Sequence, residues 1–150
     1  MRAPAGAGDV PPWRFLFTRE IPVHTVLVVE DDAATRRLLK HLMERELRCE
    51  VLEAGTAAEG KQLLEARRPD LILLDLGLPD EPGEAVLAAA RAEGVGVPVV
   101  VVSAENDRDR IEKLAGPGLL GYLLKPIHLP TAIQRLQQVI GSLPYRPPAG

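Results

Sequence analysis

Cysteine, aromatic residues and long apolar runs are all scarce in this chain. Its 150 residues include one cysteine, Cys49, which excludes an intrachain disulfide and with it the class of disulfide-stapled secreted domains. Aromatic residues make up 3% of the chain against 46% for all hydrophobic residues, so the core must consist of Leu, Val, Ile and Ala. The formal net charge of −3 provides no basic surface for nucleic acid or for anionic lipid.

The sequence also lacks the apolar segments that membrane insertion or secretion requires. Apolar runs such as residues 97–102 fall far below the roughly 20 residues of a membrane-spanning helix. Near the N-terminus, Arg14 and Arg19 interrupt the apolar stretch that a signal peptide would need. We therefore expect a cytoplasmic protein without direct contact to membrane or nucleic acid.

The composition along the chain predicts one domain between two short extensions. Residues 1–22 begin with a stretch rich in Pro, Ala and Gly and then carry the apolar cluster WRFLF, at Trp13–Phe17. Two roles stay open for this cluster, namely packing over an apolar patch of the domain or docking onto another protein. The domain is expected over residues 23–142, and residues 143–150 form a C-terminal tail.

Five short apolar runs alternate with five segments of helical periodicity. The predicted strands cover residues 26–29, 51–54, 71–74, 99–102 and 122–124. The predicted helices cover residues 34–47, 57–68, 83–93 and 107–115, with a last helix from Thr131. Such alternation is typical of an α/β fold with a doubly wound, five-stranded parallel sheet and helices on both faces.

Polar side chains follow four of the predicted strands, at the point where each strand ends. They are Glu30 and Asp31 after the first strand, Asp75 after the third, Ser103 after the fourth and Lys125 after the fifth. Because open α/β sheets bind ligands at the carboxyl ends of their strands, we expect these residues to converge at one edge.

The residue types at this edge indicate phosphoryl chemistry. Three carboxylates that lie close together repel one another unless a cation is present, and carboxylate oxygens suit Mg²⁺. A carboxylate beside such a cation can act as a nucleophile toward phosphorus. Lys125 can neutralise charge on the transferred group, and the Ser103 hydroxyl can donate to one of its oxygens. The set therefore predicts an aspartyl-phosphate site.

The motifs VLVVEDD, DLILLDLGLP, VVVSA and GYLLKP resemble those of the response-regulator receiver domains of two-component signalling, including the single-domain chemotaxis type. The resemblance runs from about residue 25 to residue 140. It implies a flavodoxin-like sheet of order 2-1-3-4-5 and phosphorylation of Asp75 by a histidine kinase or histidine phosphotransfer protein. It also implies that Mg²⁺ is bound by Asp31, Asp75 and the backbone carbonyl of Gly77, with Glu30 assisting through water.

The resemblance further implies a switch. Ser103 and Tyr122 match the hydroxyl and aromatic switch positions, and Lys125-Pro126 matches a cis peptide bond. Phosphorylation is expected to alter the face formed by the fourth helix, fifth strand and fifth helix, for a downstream protein partner or onward relay. The same face is a candidate surface for a homodimer.

The sequence allows three alternative functions to be compared with that of a phosphorylated receiver domain. A phosphatase with an aspartyl nucleophile would need a second carboxylate where Gly77 stands, so we expect no turnover of external substrates. A flavin-binding protein is disfavoured because the acidic residues 30–32 would repel its phosphate. A degenerate receiver that binds partners without phosphorylation stays open as an alternative function.

The histidines His24, His41 and His128 lack metal-ligand spacing. Residues 107–110 (DRDR) are most simply a solvated helix face, and the alternative is a surface for a partner protein.

Overall fold

The computed structural model describes residues 24–144, which fold around a five-stranded, all-parallel sheet. The strands are β1 (Thr25–Val29), β2 (Glu50–Ala54), β3 (Leu71–Leu74), β4 (Val99–Ala104) and β5 (Leu119–Lys125). Their order across the sheet is β2-β1-β3-β4-β5, which confirms the predicted flavodoxin-like arrangement. The Trp13–Phe17 cluster, the rest of residues 1–23 and residues 145–150 lie outside the described residues.

Each strand is connected to the next through helical structure. The helices are α1 (Ala33–Arg45), α2 (Ala57–Arg67), α3 (Glu84–Arg91), α4 (Arg108–Glu112) and α5 (Leu129–Ser142), and a 3-10 turn at Glu105–Asp107 precedes α4. Within residues 24–144, none of these helices combines the length and hydropathy needed to cross a bilayer.

The sheet separates two apolar cores because successive side chains of a strand point to opposite faces. On one face, Val26 and Val28 of β1 pack with residues of α1 and α5, among them Leu39, Met43 and Leu136. On the other face, residues of β1, β3 and β4 pack with α2, α3 and α4, through Leu64, Val86 and Ile111 among others. Cys49 is buried in the first core, as expected of a small packing residue.

Four strands extend beyond their predicted ends, β1 and β2 by one residue each and β4 and β5 by more. Ser103 and Ala104 continue β4 because they pair with Leu124 and Lys125, so Ser103 lies inside the strand. At the start of β5, the pairing register shifts by one residue, because Val99 of β4 pairs with Leu119 whereas Val100 pairs with Gly121. The residue between them in β5, Leu120, is 44% exposed. Because of this irregularity, the sequence pattern predicts only residues 122–124 of β5.

All five helices differ in extent from the prediction, α1 and α2 by only one or two residues at an end. Helix α3 ends at Arg91, before the predicted end at residue 93, because Ala92 is extended and the Ala90 carbonyl accepts from Val97 N–H at 3.1 Å. Helix α4 spans only five residues and begins after a 3-10 turn, and α5 starts two residues earlier than Thr131, with Pro130 in its first turn.

Both ends of the described region lie at the amino-terminal edge of the sheet. The Thr25 N–H donates to Asp70 Oδ2 at 2.8 Å, directly before β3 begins. Pro144, beyond the end of α5, borders a cavity of 330 Å³ that Asp70 and Pro98 also line. The opposite, carboxyl-terminal edge carries the acidic residues.

Candidate functional site

The acidic turn after β1 supplies two site residues and a helix cap. Glu30 is 1% exposed, and its backbone N–H continues the sheet by donating to the Ala54 carbonyl at 2.9 Å. Asp31 is exposed beside it. Asp32 faces the other way and caps α1, where its Oδ2 accepts from the N–H and hydroxyl of Thr35 at 2.9 and 2.7 Å.

Asp75 extends from the end of β3 into the middle of this edge. Its N–H donates to the Val29 carbonyl at 3.0 Å, so the residue continues the pairing with β1. The carboxyl is 7% exposed. Its Oδ1 accepts from Gly77 N–H at 3.0 Å and lies 3.2 Å from the Ser103 hydroxyl oxygen, while its Oδ2 contacts Lys125 Nζ at 3.0 Å.

Lys125, the last residue of β5, joins two of the carboxylates. Its ammonium lies 2.5 Å from Glu30 Oε1 and 3.0 Å from Asp75 Oδ2. Burial lowers the pKa of Lys125, but hydrogen bonds to Glu30 and Asp75 outweigh burial and leave the pKa above its ordinary value. Lys125 therefore stays charged at neutral pH. The Lys125-Pro126 peptide bond that follows is cis, as the resemblance implied.

The two buried carboxyls have opposite pKa shifts. Burial raises the pKa of Glu30 to about 7, although hydrogen bonds from Lys125 and from Asp32 N–H counteract it. Burial also raises the pKa of Asp75, but hydrogen bonds from Gly77 N–H and Lys125 outweigh burial and hold the pKa below its ordinary value. Asp75 therefore loses its proton at a lower pH than Glu30 does.

The three acidic side chains fit a divalent cation. One carboxylate oxygen from each of Glu30, Asp31 and Asp75 lies within 4.8 Å of the other two. Two oxygens bound to one Mg²⁺ lie at most about 4.2 Å apart, so only small side-chain rotations are needed for a shared ion. Apart from the ion pair with Lys125, Glu30 Oε1 accepts no hydrogen bond from the described residues. The exposed Asp31 leaves one side open to the waters that Mg²⁺ retains.

The loop between β3 and α3 is fixed by contacts that sequence reasoning missed. Asp80 accepts hydrogen bonds from the N–H groups of Ala57 and Ala58, both at 2.9 Å, and so caps α2 from outside that helix. Gly83 lies against the backbone of Asp75 and Leu76, and its N–H donates to the Leu76 carbonyl at 2.8 Å. A glycine at the start of a helix without a capping side chain is the sequence signal that could have revealed this approach.

On the other side of Asp75, the segment after β4 is connected through side chains. The Ser103 hydroxyl lies 2.6 Å from Asp107 Oδ2, much closer than its 3.2 Å contact with Asp75. Arg110 forms two hydrogen bonds with Glu84 at 2.5 and 2.6 Å and donates to the Leu76 carbonyl at 3.2 Å. The prediction that residues 107–110 form a solvated helix face is therefore wrong for Asp107 and Arg110, and neither Asn106 nor Asp107 caps α4 through its side chain.

The remaining predicted site residues are Gly77 and Tyr122, and His128 was predicted to lie outside the site. Gly77 is exposed and contacts Asp75 through its backbone N–H. Tyr122 lies opposite Val101 in β5, two residues before the register position of Ser103, and packs against the core on the α4 side of the sheet. His128, at the start of α5, lies 2.8 Å from the Thr131 hydroxyl and joins no group of metal-ligating side chains among the described residues.

The arrangement has the parts of a nucleophilic site for a phosphoryl group. An ionised carboxylate, a half-buried ammonium and a hydroxyl converge from β3, β5 and β4, and two further carboxylates at the end of β1 lie close enough to share a divalent cation with Asp75. Such a site binds a transferred phosphoryl group by opposite charge and hydrogen bonding.

Comparison with known proteins identifies this arrangement. The family model of the response regulator receiver domain matches residues 26–137. Among curated relatives, the transcriptional regulatory protein PhoP of Escherichia coli K12 is 35% identical over 116 residues, which cover 77% of this chain and 51% of PhoP. The chain thus spans about half the length of such relatives.

Solved structures of similar fold include one with a bound metal. The receiver domain of the sensor histidine kinase PA1611 from Pseudomonas aeruginosa PAO1, solved with a magnesium ion in its active-site cleft, is 26% identical. It matches with a TM-score of 0.68 over 80% of this chain and 99% of the other. The receiver domain of the Francisella response regulator 1452 is 27% identical, with a TM-score of 0.67 over 79% and 97% of the two chains.

Proposed function

This chain belongs to the response regulator receiver domain family, and from that premise we propose that Asp75 accepts a phosphoryl group from a partner histidine kinase or histidine phosphotransfer protein. The observation that carries the proposal is the environment of Asp75. Its carboxylate is buried yet ionised, and it contacts Lys125, Ser103 and Gly77 N–H on three sides.

The residues of this chain would act on the transferred group as follows. An oxygen of the Asp75 carboxylate forms a bond to phosphorus while the bond from phosphorus to the donor nitrogen breaks, and the electron pair leaves with the donor imidazole. Lys125 offsets the negative charge of the phosphoryl oxygens, and the Ser103 hydroxyl donates to one of them. The reaction is self-modification, followed by hydrolysis in which water takes the phosphoryl group as inorganic phosphate and the Asp75 carboxylate is regenerated; no external substrate is turned over.

Glu30, Asp31 and Asp75 are the residues that would hold Mg²⁺, and the Gly77 carbonyl is the proposed backbone ligand. When bound, the ion supplies positive charge next to the transferred phosphoryl oxygens. Without a cation, Lys125 is the one positive group in direct contact with the Glu30 and Asp75 carboxylates among the described residues.

The output surface is proposed to be the face formed by α4, β5 and α5. Phosphorylation adds about −1.5 to −2 charges at Asp75 and draws Ser103 toward it, which gives Tyr122 space to turn. The outer side of β5 and α5 has a groove of 490 Å³ lined by Leu120, Tyr122 and Val139 among others. A downstream protein, a relay partner or a second copy of this chain would contact this face, and such a role predicts a cytoplasmic location.

The proposal is tested by incubation with acetyl phosphate and Mg²⁺, followed by intact-mass measurement. We expect the wild type to gain one phosphoryl group, Asp75→Asn to gain none, and excess EDTA to suppress the reaction. Asp109→Asn is the matched control because it removes an exposed carboxylate on α4 that contacts none of the site residues, and it should leave labelling intact. Equal labelling of Asp75→Asn would refute the assignment, and a wild type that is never labelled would favour the degenerate receiver.

A further inference from the structure

The hydroxyl of Ser103 lies between two carboxylates that compete for its single proton. Asp107 Oδ2 lies 2.6 Å from Ser103 Oγ, whereas Asp75 Oδ1 lies 3.2 Å away. A distance of about 2.6 Å is typical of a strong hydrogen bond from a hydroxyl to an ionised carboxylate. Because a serine hydroxyl donates one hydrogen bond, the proton points to Asp107 and away from Asp75.

Asp107 is held in this position by contacts on its other side. Its Oδ1 lies 3.5 Å from Arg110 Nη1, and Arg110 is itself fixed by Glu84 at the start of α3 and by the Leu76 carbonyl. An aspartate at the start of a helix normally accepts hydrogen bonds from the first backbone N–H groups of that helix. The Asp107 side chain makes no such bond to α4. Its Oδ2 accepts a hydrogen bond from the Ser103 hydroxyl instead.

We propose that Asp107 is a positioning residue that restrains the Ser103 hydroxyl in the unphosphorylated protein, so that a phosphoryl group on Asp75 must compete with Asp107 for it. This inference rests on the proposed function of Asp75. When Ser103 turns to the phosphoryl group, Asp107 loses its hydrogen bond, and the turn at Glu105–Asp107 loses its side-chain connection to β4. The strength of the Ser103–Asp107 bond therefore sets how readily the domain adopts its phosphorylated conformation.

A double-mutant cycle tests the inference with beryllium fluoride, a mimic of the phosphoryl group, as the probe. Four proteins are titrated in the presence of Mg²⁺ and followed by ¹⁹F NMR: wild type, Asp107→Ala, Ser103→Ala and the double variant. Releasing a hydroxyl from a charged acceptor predicts about tenfold tighter binding for Asp107→Ala. In the Ser103→Ala background the same substitution should leave the affinity unchanged, because Asp107 acts through the hydroxyl. Asp107→Asn keeps an acceptor oxygen and should lie between Asp107→Ala and the wild type.

The outcomes separate this inference from the proposed function. Weaker binding by Asp107→Ala, or an equal effect of this substitution with and without Ser103, would overturn the role of Asp107 while leaving Asp75 as the acceptor. Absence of binding by the wild type would instead refute the proposed function, and with it the inference. Amide hydrogen exchange of residues 105–113 in the unmodified protein checks the contact itself. Asp107→Ala and Ser103→Ala should each accelerate exchange, and the double variant no more than either, whereas unchanged exchange in both would refute the restraint.

Discussion

Replacing Gly83 by alanine should move Asp75, the proposed phosphoacceptor, without changing any charged group. A Cβ atom built on Gly83 would lie 2.6 Å from Leu76 Cα and still closer to the Asp75 carbonyl oxygen. The φ of Gly83, −58°, is one that any residue adopts, so only the lack of space for a side chain disfavours alanine. Both opposing atoms belong to the backbone and cannot rotate away.

The expected magnitude follows from this overlap. Carbon atoms in contact are separated by about 3.5 Å or more, so the backbone of Asp75 and Leu76 must move by about 1 Å. Inserting a methyl group into a packed site typically costs about 1–3 kcal/mol of stability. A displacement of about 1 Å at a reacting group can slow a reaction about 100-fold. We therefore expect Gly83→Ala to be less stable than the wild type and, as the larger effect, to be labelled more slowly.

Urea unfolding gives the free energy, and the time course of acetyl phosphate labelling gives the rate. Gly141→Ala is the matched control because the same change in α5 meets no atom within 4 Å and should stabilise the helix by less than about 1 kcal/mol. The reasoning would be refuted if Gly83→Ala labelled at the wild-type rate and unfolded within about 0.5 kcal/mol of the wild type.

Two further predictions concern pH and metal. The hydrogen bonds from Arg110 hold the pKa of Glu84 below its ordinary 4.5, so their stabilisation is present above that pH and lost as pH falls through the lowered value. Because both side chains are about a third exposed, Glu84→Gln should cost only about 1 kcal/mol at pH 7 in urea unfolding, and this cost should shrink as pH falls below the ordinary pKa of a glutamate; a constant difference would contradict the assignment. Mg²⁺ should raise the Tm of the wild type, and Asp31→Asn should reduce that shift, whereas an equal shift in both would exclude Asp31 as a ligand.

The fold and the centre of the candidate site follow from local sequence signals. Buried parallel strands are continuous apolar runs, so the polar residues that end them, such as Asp75 and Lys125, are conspicuous. The parallel arrangement then brings four such strand ends to one edge of the sheet. Thr56 illustrates a local signal that also sets a helix start, because its hydroxyl accepts from Glu59 N–H at 3.1 Å.

The contacts that support the site were not predictable in the same way. Asp80 caps a helix whose first residue lies 23 positions earlier, and Arg110 binds Glu84 across 26 positions. No periodicity links residues so far apart, since their proximity arises only after the sheet has formed. The charged run at 107–110 has the composition of a solvated helix face. In the folded chain, however, the Asp107 carboxylate lies 2.6 Å from the Ser103 hydroxyl.

The positions of the two ends of the described region have a practical consequence. Thr25 and Pro144 both lie beside Asp70, while Asp75 is five residues further on, about 17 Å away along β3. A tag or fluorophore joined directly to Thr25 or Pro144 would therefore be tethered on the side remote from the acidic cluster. Such fusions should leave phosphodonor access unobstructed.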